Sequence, residues 1–128
     1  MGVEETVREY YGALRRGEPL YPFFAERSDV VKFGIGERLT GYDEIATGLH
    51  EQTQTTEHWS VESRNLRVTE RERHGWFSDD VRMTWRDVSA DREYDFRTRW
   101  SGTLEAQDGG EWAFVGMHVS CPTGASGD

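Results

Sequence analysis

Apolar side chains recur at Val3, Val7, Tyr10 and Leu14, with Tyr11 beside them, and this spacing predicts an amphipathic helix at the start of the chain. Gly17 and then Pro19 stop it. Pro22-Phe23-Phe24-Ala25 predicts a short second helix, and Val30 to Phe33 a strand ended by Gly34 and Gly36. Thr40 with Asp43 three positions on has the pattern of a capping box and opens a third helix, with Tyr42, Ile45, Ala46 and Leu49 turned inward. After His58-Trp59 the period changes to two, and the chain up to Cys121 reads as strands with turn signals near His74-Gly75 and Ser89-Ala90-Asp91. Thr123 to Asp128 has no apolar residue larger than alanine and is expected to be a disordered tail, leaving residues 1–122 as one domain. Helices first and a long antiparallel meander after them is an α+β order.

Alternation also assigns faces. Phe77, Asp79, Val81, Met83 and Trp85 share one face, and Trp76, Ser78, Asp80, Arg82 and Thr84 the other. The closing stretch from Phe96 to Pro122 reads as a long hairpin around Asp108-Gly109-Gly110, because glycine supplies the positive φ of a tight turn. A two-residue turn at Gly109-Gly110 sets Leu104 opposite Val115, Gly102 opposite Met117 and Trp100 opposite Val119. Phe96 and Thr98 continue that apolar face, which is expected to be concave. Arg97, Arg99, Ser101, Thr103, Trp112, Phe114, His118 and Ser120 fall on the opposite face, whose mixture of aromatic and charged types suits a subunit interface. Asp79 lies among apolar neighbours, where desolvation raises a carboxyl pKa and fits it to general acid or base work.

The run Arg99-Trp100-Ser101-Gly102-Thr103-Leu104, then Asp108-Gly109-Gly110-Glu111-Trp112, then His118-Val119-Ser120-Cys121-Pro122 resembles the closing hairpin of SnoaL-like domains of the nuclear-transport-factor superfamily. Gly75-Trp76-Phe77-Ser78-Asp79-Asp80 and the helix around Tyr10-Tyr11-Gly12-Ala13-Leu14 are similar to the same family, so the likeness runs from Val3 to Pro122. The resemblance implies a cone-shaped α+β fold in which a strongly curved sheet wraps the helices and leaves a pocket at its open end, with the outer face of the sheet forming a homodimer. On this chain the implied pocket residues are Tyr11, Phe33, Trp59, Trp85, Trp100, Met117 and Val119, and the implied interface residues Trp76, Trp112, Phe114 and His118. Ketosteroid isomerases belong to the same superfamily, and Tyr10 matches the position of their oxyanion-hole tyrosine. Their general-base aspartate falls near Phe33 here and their second oxyanion donor near Ser101, so the isomerase activity does not carry over. What remains implied is a small-molecule-binding domain with an apolar or aromatic pocket, in which any catalysis is acid–base work with Asp79 as proton carrier and Tyr10 as polariser. The alternative is a non-catalytic assembly module, resembling the association domain of calcium/calmodulin-dependent kinase II.

Composition narrows the partners. The 128 residues carry a formal net charge of −9, which argues against nucleic acid and anionic membranes, since both require a basic footprint. No apolar run approaches a membrane span, and the acidic start Met1-Gly2-Val3-Glu4-Glu5 has no signal-like apolar core, so a cytoplasmic location is expected. Of the 15 basic residues only Lys32 is a lysine. An acidic excess with almost no lysine points to a halophilic, salt-adapted cytoplasm, the alternative being a GC-rich genome that favours arginine codons. The single Cys121 excludes an internal disulfide. His50-Glu51 and Glu57-His58 lack the His-Glu-x-x-His spacing, and Gly34-Ile35-Gly36 lacks the third glycine of a dinucleotide fingerprint, so neither a metal nor a cofactor is expected.

Overall fold

A computed structural model describes residues 1–122; the tail predicted over 123–128 lies outside the described residues. The first helix, α1 (Val3–Arg16), buries Val3, Val7, Tyr10, Tyr11 and Leu14, the face its spacing predicts. Gly17 ends it in the left-handed conformation at φ 68°, where a side chain would be strained. The predicted second helix is a single 3-10 turn, Tyr21–Phe23. Strands β1 (Val31–Gly34) and β2 (Glu37–Thr40) form a short hairpin before α2 (Tyr42–Thr55). The start of α2 differs from the predicted capping box by one residue. Gly41 is the N-cap, and Glu44 rather than Asp43 reaches back to accept from the Thr40 N–H at 3.0 Å.

The remaining strands are β3 (Thr56–Ser63), β4 (Arg67–Glu70), β5 (His74–Asp87), β6 (Arg92–Ala106) and β7 (Trp112–Ser120). They make one curled sheet in the order β2-β1-β7-β6-β5-β3, with β4 also paired to β5. Among these described strands β1 pairs with β7 in parallel and the other pairings are antiparallel. The sheet closes over α1, and the core between them holds Val7, Tyr10, Phe77, Val81, Leu104, Phe114 and Met117. The fold is therefore the predicted α+β arrangement of helices on a strongly curved sheet.

The closing hairpin departs from the expected register in two ways that cancel over most of its length. The turn is one residue longer than predicted: the Gly110 N–H donates to the Gln107 carbonyl and Gly110 takes φ 89°, the left-handed position of a three-residue hairpin loop. Ala106 consequently pairs with Trp112 and Leu104 with Phe114. A bulge at Val115 then restores the predicted pairs Gly102–Met117 and Trp100–Val119. Between turn and bulge, Trp112 and Phe114 turn to the face opposite the one expected. Phe114 is completely buried in its own domain and Trp112 packs on the core, so the placement of these two residues on an outer interface is corrected.

Candidate functional site

At the open end of the curled sheet lies a cavity of about 330 Å³. One wall is a stack of rings. Trp59 on β3 and Trp85 on β5 are parallel at 4.6 Å, and Trp85 continues onto Tyr94 at 5.1 Å and Phe96 at 5.5 Å on β6. Alternation along paired antiparallel strands puts these side chains on one face, where opposite residues approach closely. The indole N–H of Trp59 donates to Thr56 Oγ1 at 2.8 Å and so fixes the ring's edge. Leu14, Ile35, Met83, Trp100 and Val119 add to the apolar lining.

One set of polar groups in the lining comes from β1, β2 and α1. Lys32 projects from β1 into the cavity and its ammonium donates to the Glu37 carboxylate on β2. Gly34, opposite Glu37 in the hairpin, leaves the space this side chain occupies; a Cβ there would lie 2.5 Å from Glu37 Oε1. Tyr10 lines the same cavity from α1, held edge-on between Phe23, Trp100 and Phe114. Burial, reinforced by the nearby Glu37 carboxylate, pushes its phenol well above the usual tyrosine range, so it is a proton donor and not an anion. Every side-chain polar atom sealed away from solvent has a partner among the described residues. No described group hydrogen-bonds the Tyr10 hydroxyl, which therefore opens onto the cavity. Gln52 and Asp87 stand at the lining's polar edge, and hydrogen bonds from the Ser89 hydroxyl and the Ala90 N–H hold Asp87 below the usual carboxylate range.

The expected residues divide. Tyr10, Trp59, Trp85, Trp100 and Val119 meet in the cavity. Met117 lies deeper, in the core. Phe33 points to the other face of β1, edge-on to His118 across the parallel β1–β7 pair at 5.7 Å, because its neighbour Lys32 takes the inward position. Tyr11 is also turned away: its hydroxyl donates to Asp79 Oδ2 at 2.9 Å. Asp79 is buried on the expected face of β5 but does not line the cavity. It accepts two further hydrogen bonds, from Ser63 Oγ at 2.6 Å and from the Asn65 N–H at 2.9 Å, tying α1 to the β3–β4 connection. Trp76 and His118 keep the exposed positions predicted for them on the sheet's outer face.

Lys32 and Glu37 were not among the expected site residues. The signal was present as composition: fourteen of the fifteen basic positions are arginine, and the one exception is the ammonium inside the cavity. A compact ammonium and a planar guanidinium are not equivalent in a confined site.

Residues 3–124 match the family model of the SnoaL-like domain, and the chain belongs to that family. Its fold is that of nuclear transport factor 2-like proteins. A provisional scytalone dehydratase from Novosphingobium aromaticivorans superposes with a TM-score of 0.80 at 18% identity, covering 94% of this chain and 82% of the other. A nuclear transport factor 2-like superfamily protein from Salmonella enterica serovar Typhimurium gives 0.79 at 15% identity, covering 92% and 87%. A provisional calcium/calmodulin-dependent protein kinase II association domain from Xanthomonas campestris gives 0.77 at 16% identity, covering 95% and 86%. No curated protein sequence matches. Names as different as a dehydratase and an association domain sit on one fold, so the reaction has to be argued from the cavity. Among the described residues no helix is long and apolar enough to cross a membrane.

Proposed function

We propose that the cavity binds a flat, apolar or aromatic small molecule whose one polar group is directed at Lys32, Glu37 and Tyr10, and that these three residues move protons at that group. The observation that carries the reading is the make-up of the lining: a stack of aromatic rings, with an ammonium, a carboxylate and a phenol in the same cavity. Few convergent polar groups in an aromatic cavity are the usual anatomy of a small-molecule site. A neutral phenol donates to a developing oxyanion, a carboxylate takes a proton, and an ammonium stabilises the charge between them. Asp79 has no part in this chemistry, since its oxygens are already engaged by Tyr11, Ser63 and Asn65. Self-association through the outer face of the sheet is compatible with this reading. It would use Trp76, His118 and the cross-strand pair Arg82–Asp95, not Trp112 or Phe114.

The test is a titration with 2-naphthol, read by tryptophan fluorescence. Saturable quenching is expected, and Trp85→Ala should weaken it by about tenfold through loss of the ring stack. Quenching that never saturates, or that Trp85→Ala leaves unchanged, would remove the cavity as the site.

A further inference from the structure

Resting on that reading, we propose that Lys32 is a carbonyl-reactive amine: the site takes an aldehyde or ketone carried on a flat apolar frame and holds it as an imine.

The argument starts from what an imine requires. An amine must face the carbonyl, a base must take the proton that the ammonium gives up, and a proton donor must reach the carbonyl oxygen so that it can leave as water. Lys32 is 6% exposed and the small surface it keeps is in the cavity lining. Its direct partner, Glu37, is the base, and Glu37 lines the cavity beside it. Tyr10, protonated and free of any hydrogen bond to the described residues, is the donor. Lys32 and Glu37 come from the β1–β2 hairpin at one edge of the sheet and Tyr10 from α1, and all three line the same cavity. A pair serving only to fasten β1 to β2 would have no use for a phenol beside it, nor for an aromatic wall facing it.

The step balances without any further reagent. The Lys32 ammonium passes one proton to Glu37, and the freed nitrogen pair forms the N–C bond as the C=O π pair moves to oxygen; Tyr10 hydrogen-bonds that oxygen, and the proton held by Glu37 ends on it as the carbinolamine hydroxyl forms. The second nitrogen proton and the carbinolamine hydroxyl depart together as water, and the C=N bond forms. The sum is one carbonyl and one ammonium giving one iminium and one water. The stacked rings of Trp59 and Trp85 hold the frame of the carbonyl compound and limit the water that would reverse the condensation.

The composition makes the test clean. Lys32 is the only lysine of the chain, so reductive trapping can label it or the α-amine and no other amine. The protein is incubated with 2-naphthaldehyde, the fluorescence is recorded, and sodium cyanoborohydride then delivers hydride to any iminium carbon. Intact mass and peptide mapping locate the product. Labelling of Lys32 should saturate with aldehyde concentration and outpace that of the exposed α-amine by about tenfold or more, since the bound carbonyl is already held against the nitrogen. Lys32→Arg should lose the saturable labelling and leave only the slower labelling of the α-amine. Glu37→Gln should label Lys32 several-fold more slowly at saturating aldehyde. Saturable quenching with Lys32 unlabelled, or labelled no faster than the α-amine, overturns the imine and leaves the binding site standing. Absence of saturable quenching overturns the binding site and the imine with it.

Discussion

Lys32 and Glu37 meet across the β1–β2 hairpin as an ion pair of unequal burial, with side chains 7% and 35% exposed. The asymmetry decides what each contributes. Removing one partner of a fully buried pair costs about 3–5 kcal/mol because a charge is left uncompensated. Here the remaining carboxylate in Lys32→Met keeps a route to water, so the cost falls to about 1–3 kcal/mol. Adding Glu37→Leu should recover most of that loss. Urea unfolding of the two single variants and the double variant gives the coupling directly; additive effects would show that the pair adds nothing to the hairpin.

The adjacent tyrosines of α1 tie stability to alkaline pH. Burial, with Glu37 for Tyr10 and Asp79 for Tyr11, raises both phenols above their ordinary value of 10.0. Folded and unfolded states hold the same phenolic protons below that pH. Above it the unfolded chain loses them while the folded chain keeps them, so the proton count favours unfolding. Stability should therefore be unaffected by these groups below pH 10 and fall by about 1.4 kcal/mol per pH unit for each tyrosine above it. Tyr10→Phe, which forfeits no hydrogen bond to the described residues, should roughly halve that slope. Urea midpoints measured at increasing pH check this; an unchanged slope in Tyr10→Phe would mean that Tyr10 ionises freely in the fold.

Asp79 shows that a face assignment does not by itself fix a role. Alternation along β5 places it inward among Phe77, Val81 and Met83, and all four are buried. The pattern in one strand does not say which groups arrive from elsewhere, and the donors come from α1 and the β3–β4 connection. Asp79→Ala would leave Tyr11, Ser63 and the Asn65 N–H without their acceptor and is expected to cost about 2–4 kcal/mol. Asp79→Asn keeps one acceptor oxygen and should cost less. Thermal unfolding gives the stabilities, and 2-naphthol titration of Asp79→Asn should give the wild-type affinity. Lost binding in a variant that melts like the wild type would return Asp79 to the site.

What was legible in the chain follows from where period and punctuation are unambiguous. The buried face of α1 is set by Val3, Val7, Tyr10 and Leu14, and Gly17 stops it. Trp85 and Phe96 were readable from the alternation of β5 and β6, which is in phase with their pairing, whereas Tyr94 was not singled out. Lys32 was not, because Val30-Val31-Lys32-Phe33 is apolar at three of four positions and period two has nothing to lock onto. Its inward direction is set by the parallel pairing with β7, in which Phe33 stands beside His118 on the outer side. A tertiary pairing thus chose between two faces that the local sequence left equivalent.

The bulge at Val115 is the other feature that local pattern could not supply, and it carries the sharpest test of the closing hairpin. Without it, Phe114 would stand on the outer face with His118, and its truncation would cost little. With it, Phe114 is fully buried, edge-on to Tyr10 at 5.3 Å and to Phe77 at 5.9 Å, and its carbonyl accepts from the Ala25 N–H at 3.0 Å. Phe114→Ala should therefore behave as a core deletion and cost about 3–5 kcal/mol, whereas His118→Ala, on an exposed outer position, should stay within about 0.5 kcal/mol for the monomer. Urea unfolding at low protein concentration measures both without interference from self-association. Equal, small effects would restore the simple alternation and return Phe114 to the outer face. A large loss at Phe114 alone would establish that one inserted residue turns this stretch of β7 inward, against the tyrosine at the cavity floor.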